Sequence, residues 1–524
     1  MQINYKQRIL AREWLVALLS RSRLPPNPYE RLKVFVSTIL GKLETSHLTL
    51  NESAWLRCQA AIELKDKGEY EGAREVMRPF WKRFGERPQV EGLAPVMVAE
   101  VLLHVGILTR WIGSKNQVSD AQDTAKDLIS ESITLFDSLG DSPRVAAART
   151  ELAICYWWAG ALDEARIMLT EALKRITTEG NTRANAIIFL AAVEWSASRY
   201  NESLMLLTEN AALFRKIPNH TLKGTYHNQL AMVLRKLITS ENQEQFFRRI
   251  IKEYEEADHQ FKLAHNSLYR ADVKNNVGNV LRQMRRFKEA HEYLSEARRL
   301  AVAMKDKAVV AQIDDTRAQL LTDERRLDEA EAVARGSVAS LQKSGHQVLL
   351  VDSLITHGIV LARLGRKEQA QFTFQNAIEV AHEVGALNKA GIAALTLTEE
   401  IDDLAPEVLA TAYEQASEWL ADCYNQALLL RFKTVGIKLA KQVRRGKDAD
   451  AKDKLFNRSL NLQGETLRLE RELISEALAK VNGRITYAAK ILEINYQTLA
   501  FIIEDRHPDL LKQRSPIHRR PRKK

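Results

Sequence analysis

Two copies of the same polar pair stand in the middle of the chain. Asn228 and Arg235 lie seven residues apart, and Asn275 and Arg282 repeat that spacing, with Asn279 one helical turn after Asn275. An Asn amide can hold a peptide backbone through its donor and its acceptor, and an Arg guanidinium can bind a carboxylate through two parallel hydrogen bonds. These five residues are therefore candidates for a groove that binds a peptide or protein partner. A solvated polar helix face would carry the same residue types, and that alternative stays open.

A second candidate site lies near the C-terminus, where residues 474–503 carry three short apolar stripes. The first stripe ends at Asn482-Gly483, a pair that stops helices, and Asn495 can cap the third helix. Small alanines stand where two of these helices would cross. Three short helices arranged in this way are typical of a helix-turn-helix.

The stretch AAKILEINYQTL within this pattern resembles the Fis-type helix-turn-helix, which is found at the C-terminus of many bacterial transcription regulators. The resemblance implies that Tyr496, Gln497 and Ala500 reach base edges in the major groove. It also implies that Thr498 bonds the backbone or a phosphate. A Gln side chain can bind adenine through two hydrogen bonds, which makes Gln497 a candidate reader of sequence.

The sequence departs from the Fis-type pattern in three ways. Fis-type third helices usually carry Arg or Lys where this chain has Ala500 and Phe501. Residues 465–505 hold five basic and seven acidic groups, a net charge of −2, so these residues do not attract phosphate by themselves. Glu493 occupies a turn position that is commonly Gly, where a left-handed backbone costs a residue with a Cβ about 1–2 kcal/mol. A protein-binding or dimerisation bundle on the same fold is the alternative interpretation.

The chain ends in a cationic arm. From Arg506 to Lys524 there are eight Lys or Arg and one acid, a net charge of +7, whereas the other 505 residues supply only +3 of the total of +10. Such an arm favours a polyanion partner, most simply nucleic acid, because its charges displace counterions from phosphates. A solubilising tail would have the same composition. The candidate DNA-binding residues of the arm are Lys512, Arg514, Arg519, Arg520, Arg522, Lys523 and Lys524.

The sequence carries no catalytic motif. The phosphate-binding loop G-x-x-x-x-G-K-[ST], H-E-x-x-H, G-x-S-x-G and a dinucleotide-binding glycine run are all missing. Cys58, Cys155 and Cys423 are far apart, form no C-x-x-C and are expected to be buried thiols. We therefore expect no catalytic residues, no cofactor and no metal site.

Most of the chain repeats one pattern of small residues. A small residue is followed by another twelve positions later and by a third position seven residues beyond, with a short turn such as WAGALDEA between the first two. The triplets are Ala61/Ala73/Phe80, Ala153/Ala165/Ala172, Gly278/Ala290/Ala297, Ala318/Ala330/Ser337 and Gly358/Ala370/Ala377, with a weaker copy at 191, 203 and 210. The pattern predicts helical hairpins, because antiparallel helices approach closely only where side chains are small. It resembles the tetratricopeptide repeat, which implies a solenoid.

These elements predict an all-α chain, which the small numbers of prolines (12) and glycines (22) also favour. Five parts are expected. They are N-terminal helices that cap the solenoid (1–48), tetratricopeptide-like repeats (49–443), a linker (444–463), the Fis-type helix-turn-helix (464–505) and the basic arm (506–524).

The combination predicts a cytoplasmic, DNA-binding transcription regulator whose repeat array binds a protein or peptide. The alternative is a tetratricopeptide-repeat interaction scaffold without specific DNA binding, although a scaffold does not need a charge of +7 beside a helix-turn-helix. The apolar run 96–108 contains Glu100 and His104 and is too short to span a bilayer, so no membrane partner is expected. A homodimer is left open.

Overall fold

The computed structural model describes residues 41, 48–116, 118, 120–238, 243–421, 426–447 and 462–513. Within this part of the chain all regular secondary structure is helical, with 23 α-helices and no strand. The chain divides into two compact units, residues 1–439 and 440–524, and each is described by itself. Nearly all of the predicted N-terminal cap and most of the predicted linker lie outside the described residues.

Nine consecutive hairpins make up the described part of the first unit, with a short extra helix after the fourth and a last helix after the ninth. Their first helices are α1 (Leu50–Asp66), α3 (Pro95–Lys115), α5 (Ser142–Trp158), α7 (Asn181–Ser196), α10 (His220–Lys236), α12 (Ser267–Gln283), α14 (Lys307–Asp323), α16 (Gln347–Arg363) and α18 (Leu387–Glu400). Their second helices are α2 (Tyr70–Met77), α4 (Ala121–Ser138), α6 (Leu162–Arg175), α8 (Tyr200–Glu209), α11 (Gln243–Leu263), α13 (Phe287–Ala303), α15 (Leu327–Ser344), α17 (Lys367–Glu383) and α19 (Pro406–Trp419). The extra helix is α9 (Ala211–Lys216), and the last is α20 (Gln426–Lys447).

The small-residue triplets lie at the contacts between paired helices. In each strong triplet the first residue stands on the first helix of a hairpin and the second stands on the partner helix. Ala153, Ala165 and Ala172, for example, are completely buried between α5 and α6. The prediction of a tetratricopeptide-like array of hairpins is confirmed.

Two glycines mark the closest approach of paired helices. A Cβ on Gly278 would lie 2.6 Å from Cγ of Leu294, and a Cβ on Gly358 would lie 2.8 Å from the Phe374 ring. Both distances are shorter than van der Waals contact allows, and both partner side chains are completely buried. A larger residue at either position would have to push the two helices apart, because the interior is already close-packed.

In the six hairpins that carry a triplet, the turn uses a left-handed residue seven positions after the first small residue. In three hairpins this residue is glycine, whereas Ser198, Arg285 and Arg325 adopt φ of 60°, 58° and 63° in three others. Glycine enters this conformation freely, but a residue with a Cβ loses roughly 1–2 kcal/mol there. Two arginines are therefore kept at a position where the repeat itself favours glycine.

The hairpin of α3 and α4 has no counterpart among the predicted triplets. Helix α3 is apolar on nearly all sides, so its sequence shows little of the periodicity that marks a half-buried helix. The apolar run was expected to be too short to span a bilayer. In the structure it belongs to a longer helix, and residues 95–114 are by length and composition sufficient to cross one. However, 78% of that segment is buried inside the protein, as is typical of a core helix.

The first hairpin also contacts helices that follow it by 150 to 200 residues. The backbone oxygen of Asp66 accepts hydrogen bonds from Thr221 Oγ1 and Asn266 Nδ2, both at 2.9 Å. The Asp66 carboxylate accepts a further bond from Asn219 at 3.0 Å, and Leu268 packs against the core of the first hairpin. The array therefore closes on itself over its first six hairpins.

The second unit is a small helical module of α21 (Leu462–Lys480), α22 (Ile485–Ile491), α23 (Tyr496–Arg506) and a 3₁₀ helix (Pro508–Gln513). Its core brings together the three predicted apolar stripes. Leu510 of the 3₁₀ helix is also completely buried in this core.

Two helices extend across predicted boundaries. Helix α20 continues to Lys447, four residues into the predicted linker that was to begin at 444. The basic arm was to begin at residue 506, but residues 506–513 pack on the module because Leu510 supplies an apolar anchor.

Candidate functional site

The predicted groove residues lie on the first helices of successive hairpins. These helices contact one another along the array, α10 with α7 and α12 with α14 among them. Asn228 on α10 and Asn275 on α12 each stand three residues before a buried small residue of their helix, Ala231 and Gly278. Asp315 occupies the same position on α14, so three consecutive hairpins present an oxygen-bearing side chain at one register.

All three side chains leave a buried oxygen unsatisfied. The Oδ1 atoms of Asn228, Asn275 and Asp315 are buried and have no hydrogen-bond partner within the described chain. A buried polar atom without a partner is rare in folded proteins and costs free energy. Three such acceptors at one repeat position form a row of buried atoms, which a bound molecule could reach only after the side chains rotate outward.

The predicted arginines are tied into the array. Asn279 orients the Arg282 side chain. The Nη2 and Nε atoms of Arg282 donate to Asn279 Oδ1 at 3.0 Å and 3.3 Å. Its Nη1 also donates to the Asp323 carboxylate at 2.5 Å, across to the next hairpin. Arg235 lies beside Tyr254. Burial raises the pKa of the Tyr254 hydroxyl, and the positive charge of Arg235 partly offsets that rise. Asn279 is thus placed to position Arg282 rather than to meet a ligand.

Two further residues at these repeat positions were not predicted from the sequence. Asp315 is one, and Trp195, whose buried Nε1 has no acceptor in the described chain, is the other. Trp195 occupies the repeat position of Arg235 and Arg282, four residues after the small residue of its helix. The register of the triplets could have identified both, had polar residues other than the Asn and Arg pairs been aligned.

Burial gives Asp315 an unusual carboxyl group. Desolvation raises its pKa from 3.8 to about 6, although hydrogen bonds with Thr356 and Gln319 pull the pKa in the opposite direction. Gln319 Nε2 donates to Asp315 Oδ2 at 2.9 Å, which leaves only Oδ1 open. The charge state of this acceptor therefore changes within the range of ordinary buffers.

Among the described residues, metal-binding groups are absent and the two cysteines are buried. No group of three or more His, Cys, Asp or Glu within them could hold a metal ion. Cys58 and Cys155 are buried free thiols, and burial raises the pKa of both. Cys423 falls outside the described residues.

The module is built as its sequence predicts. Ala488 and Leu499 are completely buried at the helix crossings, and Asn495 caps α23 by accepting from the Thr498 backbone N–H at 2.7 Å. The Asn482-Gly483 pair ends α21 with two left-handed residues. Glu493 has φ of 54°, which is the left-handed turn conformation expected at that position.

The first turn of α23 is exposed. Tyr496, Gln497 and Thr498 are exposed, whereas Ala500 is half-buried. Tyr496, Gln497, Ala500 and Phe501 share one face of the helix because their spacing follows the helical repeat. The ring of Phe501 is 60% exposed, so this face presents an apolar group at a position where a cation would bind phosphate more favourably.

Part of the predicted arm is engaged within the module. Arg506 donates to the Glu470 carboxylate at 3.1 Å, and Arg471 forms an ion pair with Asp509 at 2.6 Å. Lys512 is exposed on the 3₁₀ helix. The remaining predicted arm residues, Arg514 to Lys524, lie outside the described part of the chain.

Comparison with known protein families identifies the module. Residues 467–500 match the family model of the bacterial regulatory protein, Fis family. The C-terminal module is a Fis-type helix-turn-helix. No curated protein sequence matches the chain.

Solved structures are similar to the array. The Rap protein complexed with Competence and Sporulation Factor aligns with a TM-score of 0.50 and 11% identity, over 73% of this chain and 99% of the Rap chain. The apo quorum sensor NprR from B. thuringiensis aligns with 13% identity and a TM-score of 0.47, over 72% of this chain and 98% of its own. Yeast Tom70 aligns with 13% identity and a TM-score of 0.41, over 85% and 95%. At this identity the likeness to the Rap protein establishes the tetratricopeptide-like fold of the array and nothing about its ligand.

Proposed function

We propose that this protein is a DNA-binding transcription regulator of the cytoplasm, without enzymatic activity, whose array takes up a peptide or protein partner. The observation that carries the proposal is the Fis-type module, in which α23 leaves Tyr496, Gln497 and Thr498 exposed at its N-terminal end. In a helix-turn-helix this end of the recognition helix meets base edges.

Sequence preference and affinity would come from different residues. Gln497 is exposed and can pair with adenine through the oxygen and the NH2 of its side-chain amide, so it is the proposed reader of sequence. The module itself carries a net charge of −2 over residues 465–505. The Lys and Arg residues of 512–524 would therefore supply most of the attraction to phosphate.

The array would bind its partner along the row of unsatisfied oxygens. An extended peptide presents backbone N–H groups, which Asn228, Asn275 and Asp315 could accept after side-chain rotation brings their buried Oδ1 atoms to the groove surface. The Rap protein was solved with a bound factor, which supports a receptor role for an array of this fold. Binding would recover the free energy that the unpaired oxygens cost in the free protein.

A gel-shift assay with random genomic fragments tests the DNA-binding role. The full chain should retard a subset of fragments at moderate salt, and Gln497→Ala should remove the preference for that subset. Retardation of all fragments alike, with no change in Gln497→Ala, would remove the specific reader from the proposal.

Panning a random displayed-peptide library on the full chain tests the array. The double substitution Asn228→Ala and Asn275→Ala should weaken a selected peptide by more than about tenfold, since two hydrogen bonds of about 1 kcal/mol each are lost. Asn276→Ala is the matched control, because Asn276 is the same residue type one position off the row. Equal binding by the double variant and the control would contradict the proposed groove.

A tetratricopeptide-repeat scaffold is the second candidate function. It is favoured by the exposed Phe501 and half-buried Ala500 on the reading face, together with the module's net negative charge. On that account the module would bind a protein, and the gel-shift assay would detect no DNA complex even at low salt.

A further inference from the structure

The turn ends of the α12–α13 and α14–α15 hairpins enclose a cleft of about 710 Å³. Four arginines line this cleft, Arg282, Arg285, Arg325 and Arg363, and they come from three successive hairpins. The single carboxylate in its lining is that of Asp323. A water-filled space lined by four guanidinium groups and one carboxylate is strongly electropositive, because its walls lower the effective dielectric between the charges.

Two of the four arginines are already neutralised and two are not. Arg282 is paired with Asp323, and Arg363 is paired with Glu400 at 2.9 Å. Arg285 and Arg325 are both exposed, and their guanidinium groups form no hydrogen bond or ion pair with any described residue. The cleft therefore holds two guanidinium groups whose charge is uncompensated by the described part of the chain.

These two arginines also occupy the strained turn position. Gly68, Gly160 and Gly365 fill the same position in three other hairpins, with the same left-handed φ and without a Cβ. The local backbone disfavours arginine at this position, and neither guanidinium group forms a hydrogen bond or ion pair with the described part of the chain. Strained residues that persist without a structural reason tend to mark binding sites.

We propose that this cleft binds an oxyanion, a carboxylate or a phosphate group, carried by the peptide or protein that the array takes up. Arg285 and Arg325 would bind the anion through paired N–H donors, and Arg282 and Arg363 would exchange part of their internal pairing for it. The array would then select acidic or phosphorylated segments, as arginine clusters do in other peptide-binding proteins. This inference rests on the proposed role of the array as a receptor.

Fluorescence anisotropy of the full chain with three labelled hexapeptides tests the cleft. One peptide is rich in glutamate, one replaces the glutamates with phosphoserine, and one replaces them with glutamine, and all are amidated at the C-terminus. We expect the two anionic peptides to bind and the glutamine peptide to bind at least tenfold more weakly. The tighter of the two anionic peptides identifies the source of the oxyanion.

The informative variants are Arg285→Gly and Arg325→Gly, singly and together. Each removes a charge and installs the residue that other hairpins use, so the melting temperature should stay unchanged or rise. The double variant should weaken the glutamate or phosphoserine peptide at least tenfold. Because the C-terminal arm is intact in every variant, its nonspecific attraction to anionic peptides remains constant.

Two controls separate strain from charge. Ser198→Gly relieves the same backbone strain in a hairpin away from the cleft and should leave binding unchanged. Arg299→Ala removes a guanidinium from an exposed helix face of α13 and should also leave binding unchanged.

Wild-type affinity in Arg285→Gly/Arg325→Gly, equal binding of the glutamine peptide, or absence of anionic-peptide binding at low salt would each overturn the inference. Failure of the groove alone gives a different result. In that case Asn228→Ala/Asn275→Ala would bind the anionic peptides like the wild type, while the double arginine variant would still lose them.

Discussion

The candidate groove of the array and the candidate DNA-reading face of the module differ in how firmly their side chains are held. In the array the candidate side chains are held by their neighbours, as when Asn279 and Asp323 together fix Arg282. In the module the candidate side chains Tyr496 and Gln497 stand exposed. A ligand in the array therefore meets a preformed polar surface, whereas DNA at the module would have to order the side chains that read it.

The two regions also differ in where their charge lies. The array places arginines at the turn ends of its hairpins, around a cleft. The module has a net charge of −2 over residues 465–505, and its compensating cations follow it in the sequence. Affinity and selectivity are thus expected to reside together in the array but to be divided between arm and helix at the C-terminus.

The largest effect is expected in the core of the array. Phe374→Ala should lower the free energy of unfolding by about 3–5 kcal/mol, because the completely buried ring fills the space beside Gly358. Phe372→Ala is the matched control on the same helix, since the Phe372 side chain is 70% exposed. Denaturant titration followed by circular dichroism measures both.

The same pair of variants examines the independence of the two units. DNA binding by the module should survive Phe374→Ala under conditions where the array remains folded. Simultaneous loss of DNA binding and array structure at one denaturant concentration would show that module and array unfold together, and the comparison drawn above would fail.

A smaller effect is expected from the buried carboxyl of the groove. The pKa of Asp315 is raised in the folded protein from 3.8 to about 6, so the folded protein holds this proton more tightly than the unfolded chain. Stability should therefore fall as pH rises from about 4 to about 6, and the penalty should be complete above pH 6. Asp315→Asn should be more stable than the wild type by about 1–3 kcal/mol at pH 7.

Near pH 3 the two proteins should unfold at nearly the same denaturant concentration, because Asp315 is then largely protonated in both its folded and unfolded states. Asparagine is also the residue that α10 and α12 carry at this position. An equal difference between the variant and the wild type at both pH values would mean that the Asp315 carboxyl does not titrate as proposed.

The smallest effect concerns the cap of the recognition helix. Asn495→Ala removes the acceptor for the Thr498 backbone N–H and should destabilise the module by about 1 kcal/mol. Asn495→Asp retains an acceptor and should keep the stability of the wild type. Thermal melting of the module transition in the two variants measures the difference.

The sequence predicted the repeat because its information is local and redundant. One position, the small residue at the helix crossing, recurs in register, and Ala153 and Gly358 obey the same rule two hundred residues apart. The module was predictable for a related reason, since the cap Asn495 and the left-handed Glu493 are signals within a few residues of the helices they define.

The remainder depends on contacts that leave no local signal. The hydrogen bonds from Thr221 and Asn266 to Asp66 join residues far apart in sequence, and no periodic pattern in the sequence predicts them. The pairing of Arg282 with Asp323 likewise bridges two hairpins. The packing of the 3₁₀ helix on the module also has little local signal, since a single apolar residue, Leu510, anchors it in the core.

The most direct test of the regulator is a salt-dependent DNA titration of three proteins, the wild type, Gln497→Ala and a chain ending at Gln513. Ending the chain there keeps Leu510 in the core and removes six Lys or Arg. This truncation should weaken binding to all DNA and reduce the slope of log affinity against log salt by up to about 5, with the order of preferred sequences kept.

Gln497→Ala should do the reverse, with a loss of about 1–3 kcal/mol at the preferred sequence, little loss at random DNA and an unchanged slope. That opposite pair of responses is the result expected of a reader helix beside a charged arm. If Gln497→Ala leaves the sequence preference intact while the truncation abolishes all binding, α23 does not read bases and the proposed regulator is contradicted.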